Sequence, residues 1–81
     1  NKKILSYMIN KKIKDIIKKY IKSQKFNQKT TLKKISKWDS LTHLNILFAI
    51  EKFFKIKFTI IEISKFKNIG EIIDSVKKKT K

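Results

Sequence analysis

Residues 38–54 read Trp38-Asp39-Ser40-Leu41-Thr42-His43-Leu44-Asn45-Ile46-Leu47-Phe48-Ala49-Ile50-Glu51-Lys52-Phe53-Phe54. Asp39 is a good helix N-cap, because its carboxylate accepts from an N–H left without a partner in the first turn. Ser40 opens the helix behind it, and the run from Leu41 to Phe54 is long and apolar enough to form one. Ile46, Leu47, Ile50 and Phe54 fall on one arc and are expected to face a core. Leu41, Leu44 and Phe48 fall on a neighbouring arc. A helix apolar over two arcs either sits in the middle of a bundle or presents a binding stripe. A chain of 81 residues cannot bury both arcs, so part of this stripe is expected to meet a partner.

Working outward toward the N-terminus, Leu5, Met8, Ile9, Ile13, Ile16, Ile17, Tyr20 and Ile21 recur at three- and four-residue steps with lysines between them. That spacing predicts an amphipathic helix over Ile4 to Ile21, one face packed and the other wet. A basic helix of this kind can instead lie on a membrane surface. The matching apolar faces downstream favour packing. Residues 22–39 have no sustained period; Phe26, Leu32, Ile35 and Trp38 are spaced anchors in a polar connection. A loop this long in a small domain is expected to be pinned by its own side chains, with a short helical turn near Leu32 to Ser36.

Toward the C-terminus, Thr59-Ile60-Ile61-Glu62 reads as a capping box. Phe58 and Ile63 are placed for the accompanying hydrophobic staple. A short third helix follows, with Phe66 anchoring the next connection. Asn68-Ile69-Gly70-Glu71 repeats the capping pattern and starts a fourth helix through Ile69, Ile72, Ile73 and Val76. That helix is expected to fray over Lys77 to Lys81. The predicted fold is all-α: a small four-helix bundle of three longer helices and one short third helix, with a long ordered first loop. No linker divides the chain, so residues 1–81 read as a single domain.

The composition excludes several functions. There is no Cys, no Pro and one Gly, hence no disulfide, no thiolate nucleophile and no Cys-based metal site. A single His removes most His-ligand sets. No apolar run approaches the roughly 20 residues of a membrane span. Because the chain opens on Asn1 rather than Met, a targeting segment ahead of it stays open. The net charge is +16, and all 22 basic residues are Lys. A surface that reads nucleic acid usually includes the two-pronged guanidinium of Arg, so no specific nucleic acid is expected. Residues 1–25 carry nine Lys against Asp15, a net +8, whereas residues 40–57 carry three Lys against Glu51, a net +2. The plain reading is a solvated face in a lysine- and isoleucine-biased composition; the alternative is a site for anionic lipid or nucleic acid.

The stretch from Trp38 to Phe58 resembles the modification site and second helix of acyl carrier proteins. The helix order, the long first loop and residues 58–76 are similar to that family too; residues 4–21 match only as a generic amphipathic helix. Asp39-Ser40-Leu41 alone is a weak signal, and its placement at the start of an apolar helix strengthens it. The resemblance implies a free-standing, non-enzymatic carrier, monomeric and cytoplasmic. Ser40 would carry 4′-phosphopantetheine, attached by a phosphopantetheinyl transferase. The terminal thiol would hold acyl groups as thioesters between acyl-loading and acyl-transfer enzymes. A helix N-terminus suits the phosphodiester's charge. Asp39 would be the helix cap, a contact for the transferase and its Mg²⁺, or both.

By the same resemblance, Leu41, Leu44, Phe48 and Glu51 form the face read by partner enzymes. The electrostatics depart from the family, whose second helix is usually acidic. Here Thr42, Asn45 and Lys52 leave Glu51 as the only acid. A specialised carrier, for surface-polysaccharide or secondary-metabolite building blocks, is therefore expected over one for housekeeping fatty-acid synthesis. Aminoacyl or peptidyl cargo is the alternative. His43 shares a face with Ser40 and invites a Ser–His nucleophile; without an orienting third residue or an oxyanion loop it reads as a surface or partner-contacting His. Glu51 and Glu62 do not form an acid–base pair, since capping already accounts for Glu62. Trp38 reads as a loop anchor, or as a neighbour of the prosthetic arm.

Overall fold

Matched caps and apolar faces produce four helices in the computed structural model, which describes residues 2–22 and 25–80. Helix α1 spans Lys2–Ile21, α2 Ser40–Phe54, α3 Ile60–Lys65 and α4 Ile69–Lys79, with a short 3₁₀ turn at Leu32–Lys34. The fold is the all-α four-helix bundle expected, with no strand among the described residues. Its radius of gyration is 11.9 Å, against about 12 Å for a compact single domain of this length.

Among the described residues, every fully buried side chain is apolar. Ile9, Ile13, Ile16, Ile17 and Ile21 of α1 meet Ile46, Leu47 and Ile50 of α2 and Ile69, Ile72, Ile73 and Val76 of α4. Phe54 packs against this core from the predicted arc of α2. Leu5, Met8 and Phe53 line one cleft, and Lys2, Leu5 and Lys77 line another. The N-terminal end of α1 therefore lies beside the C-terminal ends of α2 and α4, and α1 runs antiparallel to both.

One expectation for α1 is corrected. Leu5, Met8 and Tyr20 share the apolar periodicity but are exposed. For Leu5 the cause is length: α1 is about 30 Å long, whereas α2 is about 22 Å and α4 about 17 Å, so its first turn outruns its cover. Met8 is exposed for another reason: it is turned about 100° around the helix from Ile9, which is buried at the same level. Asn10 Oδ1 is buried without a hydrogen-bond partner. A buried acceptor left unmade costs about 1–3 kcal/mol, and asparagine is the poorer helix former. Asn10→Ala should therefore raise stability by about 1 kcal/mol, read as a higher thermal midpoint. A lowered midpoint would show that this oxygen is bonded in solution.

The described part of the long connection is pinned by its own side chains, as expected, and by backbone bonds to the start of α4. Ser23 and Gln24 lie outside the described residues. Leu32 and Ile35 are buried, and Phe26 and Trp38 pack against the core. The helical turn is shorter than expected, covering Leu32–Lys34. Leu32 N–H donates to Lys67 O (2.9 Å), Ile69 N–H to Thr30 O (3.3 Å) and Gly70 N–H to Gln28 O (2.8 Å). Loop backbone is thus laid against the start of α4. A Cβ on Gly70 would stand 3.0 Å from Gln28 O, so the chain's one glycine sits where the two backbones approach most closely.

The caps fall where the sequence places them. Thr59 Oγ1 accepts from Glu62 N–H (3.1 Å) and Glu62 Oε1 accepts from Thr59 N–H (2.7 Å), a complete capping box. Its Phe58 is buried and its Ile63 packs against the core. Thr59's N–H, with the nearby Lys79 ammonium adding to it, holds the Glu62 carboxyl below the usual carboxylate range. At α4 the pattern is shifted. Asn68 Oδ1 accepts from Glu71 N–H, but Glu71 Oε1 accepts from Lys67 N–H rather than from Asn68. The fraying expected after Val76 is absent through Lys79; Lys81 lies outside the described residues. Thr80 N–H closes on Val76 O (3.0 Å), and Lys79 Nζ lies 3.0 Å from Glu62 Oε1, tying the last turn of α4 to α3.

Candidate functional site

Ser40 is the first residue of α2 and Asp39 is its N-cap, extended at φ −90° and ψ −177°. Asp39 Oδ1 accepts from Thr42 N–H (2.8 Å), and Asp39 O accepts from His43 N–H (2.9 Å). The backbone N–H of Thr42, then its side chain, holds the Asp39 carboxyl below the usual carboxylate range, so the cap is anionic at neutral pH. With Asp39 doing the capping, Ser40 is exposed to solvent. It stands at the positive end of a fifteen-residue helix, a position that favours a negatively charged substituent.

Beside Ser40 runs an open cleft of about 420 Å³, lined among others by Leu32, Trp38, His43, Leu44, Ile63 and Phe66. Its walls come from loop, α2 and α3, and are mostly apolar. Two bonds join them. Trp38 Nε1–H donates to His43 Nδ1 (2.8 Å). His43 Nε2 lies 2.8 Å from Ile63 O. A ring nitrogen that accepts from an indole N–H carries no proton, so the proton is on Nε2, donated to the Ile63 carbonyl.

This corrects the reading of His43 as a surface or partner-contacting residue. It is half-buried and clamps loop, α2 and α3 together. Both ring nitrogens are engaged, so neither is placed to take a proton from Ser40, and a Ser40–His43 nucleophile pair does not form. His43→Ala strands the Trp38 N–H and the Ile63 carbonyl and should cost about 1–3 kcal/mol, with a red shift in emission from Trp38, the one tryptophan. A change below about 0.5 kcal/mol, usual for a surface residue, would reject the clamp.

The second arc of α2 is bare. Leu41 is 69 % exposed, Leu44 37 % and Phe48 51 %. Glu51 has an internal role as well: its Oε2 accepts from Phe58 N–H (2.7 Å). Its backbone carbonyl accepts from Ile56 N–H (3.1 Å). Glu51 therefore brackets the α2–α3 turn, and that carboxylate oxygen is spent inside the molecule. The turn begins with Lys55 in the left-handed region at φ 58° and ψ 47°. Glycine is usual in that conformation, and a lysine there costs about 1 kcal/mol.

Sequence reasoning missed Ile60 and Ile61, which α3 leaves exposed. The available signal was length, since a helix of six residues has few positions that can turn inward, and Ile63 takes one. Among the described residues no cluster of His, Asp or Glu suits a metal ion, and no helix is long and apolar enough to cross a membrane.

No protein-family model matches the chain, and no curated protein matches it.

Proposed function

We propose that this protein is an acyl carrier, with Ser40 as the attachment point of 4′-phosphopantetheine. One observation carries the reading: an exposed serine, freed from capping by Asp39, at the N-terminus of α2 and at the edge of an apolar-walled cleft. The serine is a substrate here. A phosphopantetheinyl transferase would form the phosphodiester on Oγ as the pyrophosphate bond of coenzyme A breaks and adenosine 3′,5′-bisphosphate leaves, the serine proton passing to a base on that enzyme. The arm's thiol supplies the thioester chemistry that the cysteine-free chain lacks.

In this reading the diester on Ser40 stands at the positive end of the α2 dipole. Leu41, Leu44 and Phe48 form the apolar contact for partner enzymes. Docking leans on that apolar stripe because Glu51 is engaged internally, which suits a specialised biosynthetic route better than one built around acidic recognition. Asp39 caps α2 and stays anionic beside the serine, where a Mg²⁺-dependent transferase would meet it.

The test is intact-mass measurement after incubation with coenzyme A, Mg²⁺ and a broad-specificity transferase. One added phosphopantetheine per chain is expected. A chain left unmodified while a known carrier in the same tube is modified would reject the proposal.

A further inference from the structure

We infer that the end of the bundle farthest from Ser40 docks on anionic phospholipid bilayers. The observation is a bare apolar patch inside a lysine rim. Leu5, Tyr7, Met8 and Phe53 line one cleft of about 320 Å³, and Leu5 continues into a second of about 530 Å³ toward α4. Met8 is 59 % exposed and Phe53 54 %. The two clefts are bordered by Lys2, Lys11, Lys12 and Lys77 against Asp15, four positive charges to one negative, a net +3. Lys12 Nζ lies 4.3 Å from the centre of the Phe53 ring, so cation and apolar surface are interleaved.

This chemistry selects the occupant. A second copy would set one +16 chain against another, a repulsion that grows as the surfaces approach. Nucleic acid would neutralise the lysines but leave Leu5, Met8 and Phe53 against phosphate and water. A bilayer with anionic headgroups satisfies both parts: side chains enter the boundary between headgroups and acyl chains, while lysines reach outward to phosphate. Tyr7, half apolar and half polar, suits the same depth.

The inference does not depend on the carrier reading. Phe53 lies thirteen residues from Ser40 along α2, about 20 Å, so the serine end stays free when this end is docked.

The test uses the full chain and vesicles at physiological ionic strength. Flotation with phosphatidylglycerol-containing vesicles is expected, and none with phosphatidylcholine alone. The triple substitution Leu5→Ser, Met8→Ser, Phe53→Ser should lose about tenfold in binding. Ile60→Ser with Ile61→Ser, at bare positions of α3, should bind as the unsubstituted chain does. Met8 is the chain's one methionine, which gives a readout without substitution: anionic vesicles should slow its oxidation by peroxide severalfold. Equal binding of the triple variant and the unsubstituted chain, with Met8 unprotected, would reduce the interaction to charge alone and overturn the inference. So would duplex DNA that shields Met8 as well as the vesicles do.

Discussion

Leu47→Ala should cost about 2–5 kcal/mol of unfolding free energy, measured by denaturant titration. Leu47 has no exposed surface and stands in α2 with Ile46 and Ile50, which are equally buried. Truncation removes its transfer free energy and leaves a cavity that isoleucine neighbours, stiff at χ1, fill poorly. A chain of this size has about 4–12 kcal/mol in total, so this one change removes a large share of it. Leu41→Ala is the matched control on the same helix. With Leu41 69 % exposed, that change should stay within about 0.5 kcal/mol. Equal costs at the two positions would mean that the arcs of α2 have been assigned to the wrong sides.

Ser40→Ala should abolish phosphopantetheine addition completely while leaving the unfolding midpoint almost unchanged. The asymmetry follows from the division of labour at the helix start: Asp39 makes the capping bond to Thr42, and alanine is a good residue in a first helical turn. Loss of modification with retention of fold therefore isolates the hydroxyl as acceptor. If the transferase modified the unsubstituted chain and Ser40→Ala equally, the carrier reading would survive and the site would move to another hydroxyl. If neither were modified beside a competent control, the carrier reading itself would fail. A large drop in stability for Ser40→Ala would contradict the role given to Asp39.

Contacts three or four residues apart are legible in the amino-acid order alone. Asp39, Thr59 and Asn68 each carry an acceptor three residues before the N–H it receives, so the starts of α2, α3 and α4 are visible in the letters. The same is true of the two arcs of α2 and of the isoleucines of α1, because periodicity specifies a face before anything covers it. Tertiary structure decided what met those faces. Leu5 has the same period as Ile9 and Ile13, yet only the latter pair is buried, because cover depends on where neighbouring helices end. His43 became a clamp because Trp38 and Ile63 arrive from opposite sides. Glu51 became a bracket because the turn returns the Phe58 N–H to it. Gly70 and Gln28 face each other across forty-two positions of chain, a separation over which no local rule acts; chain closure and packing alone bring such residues together.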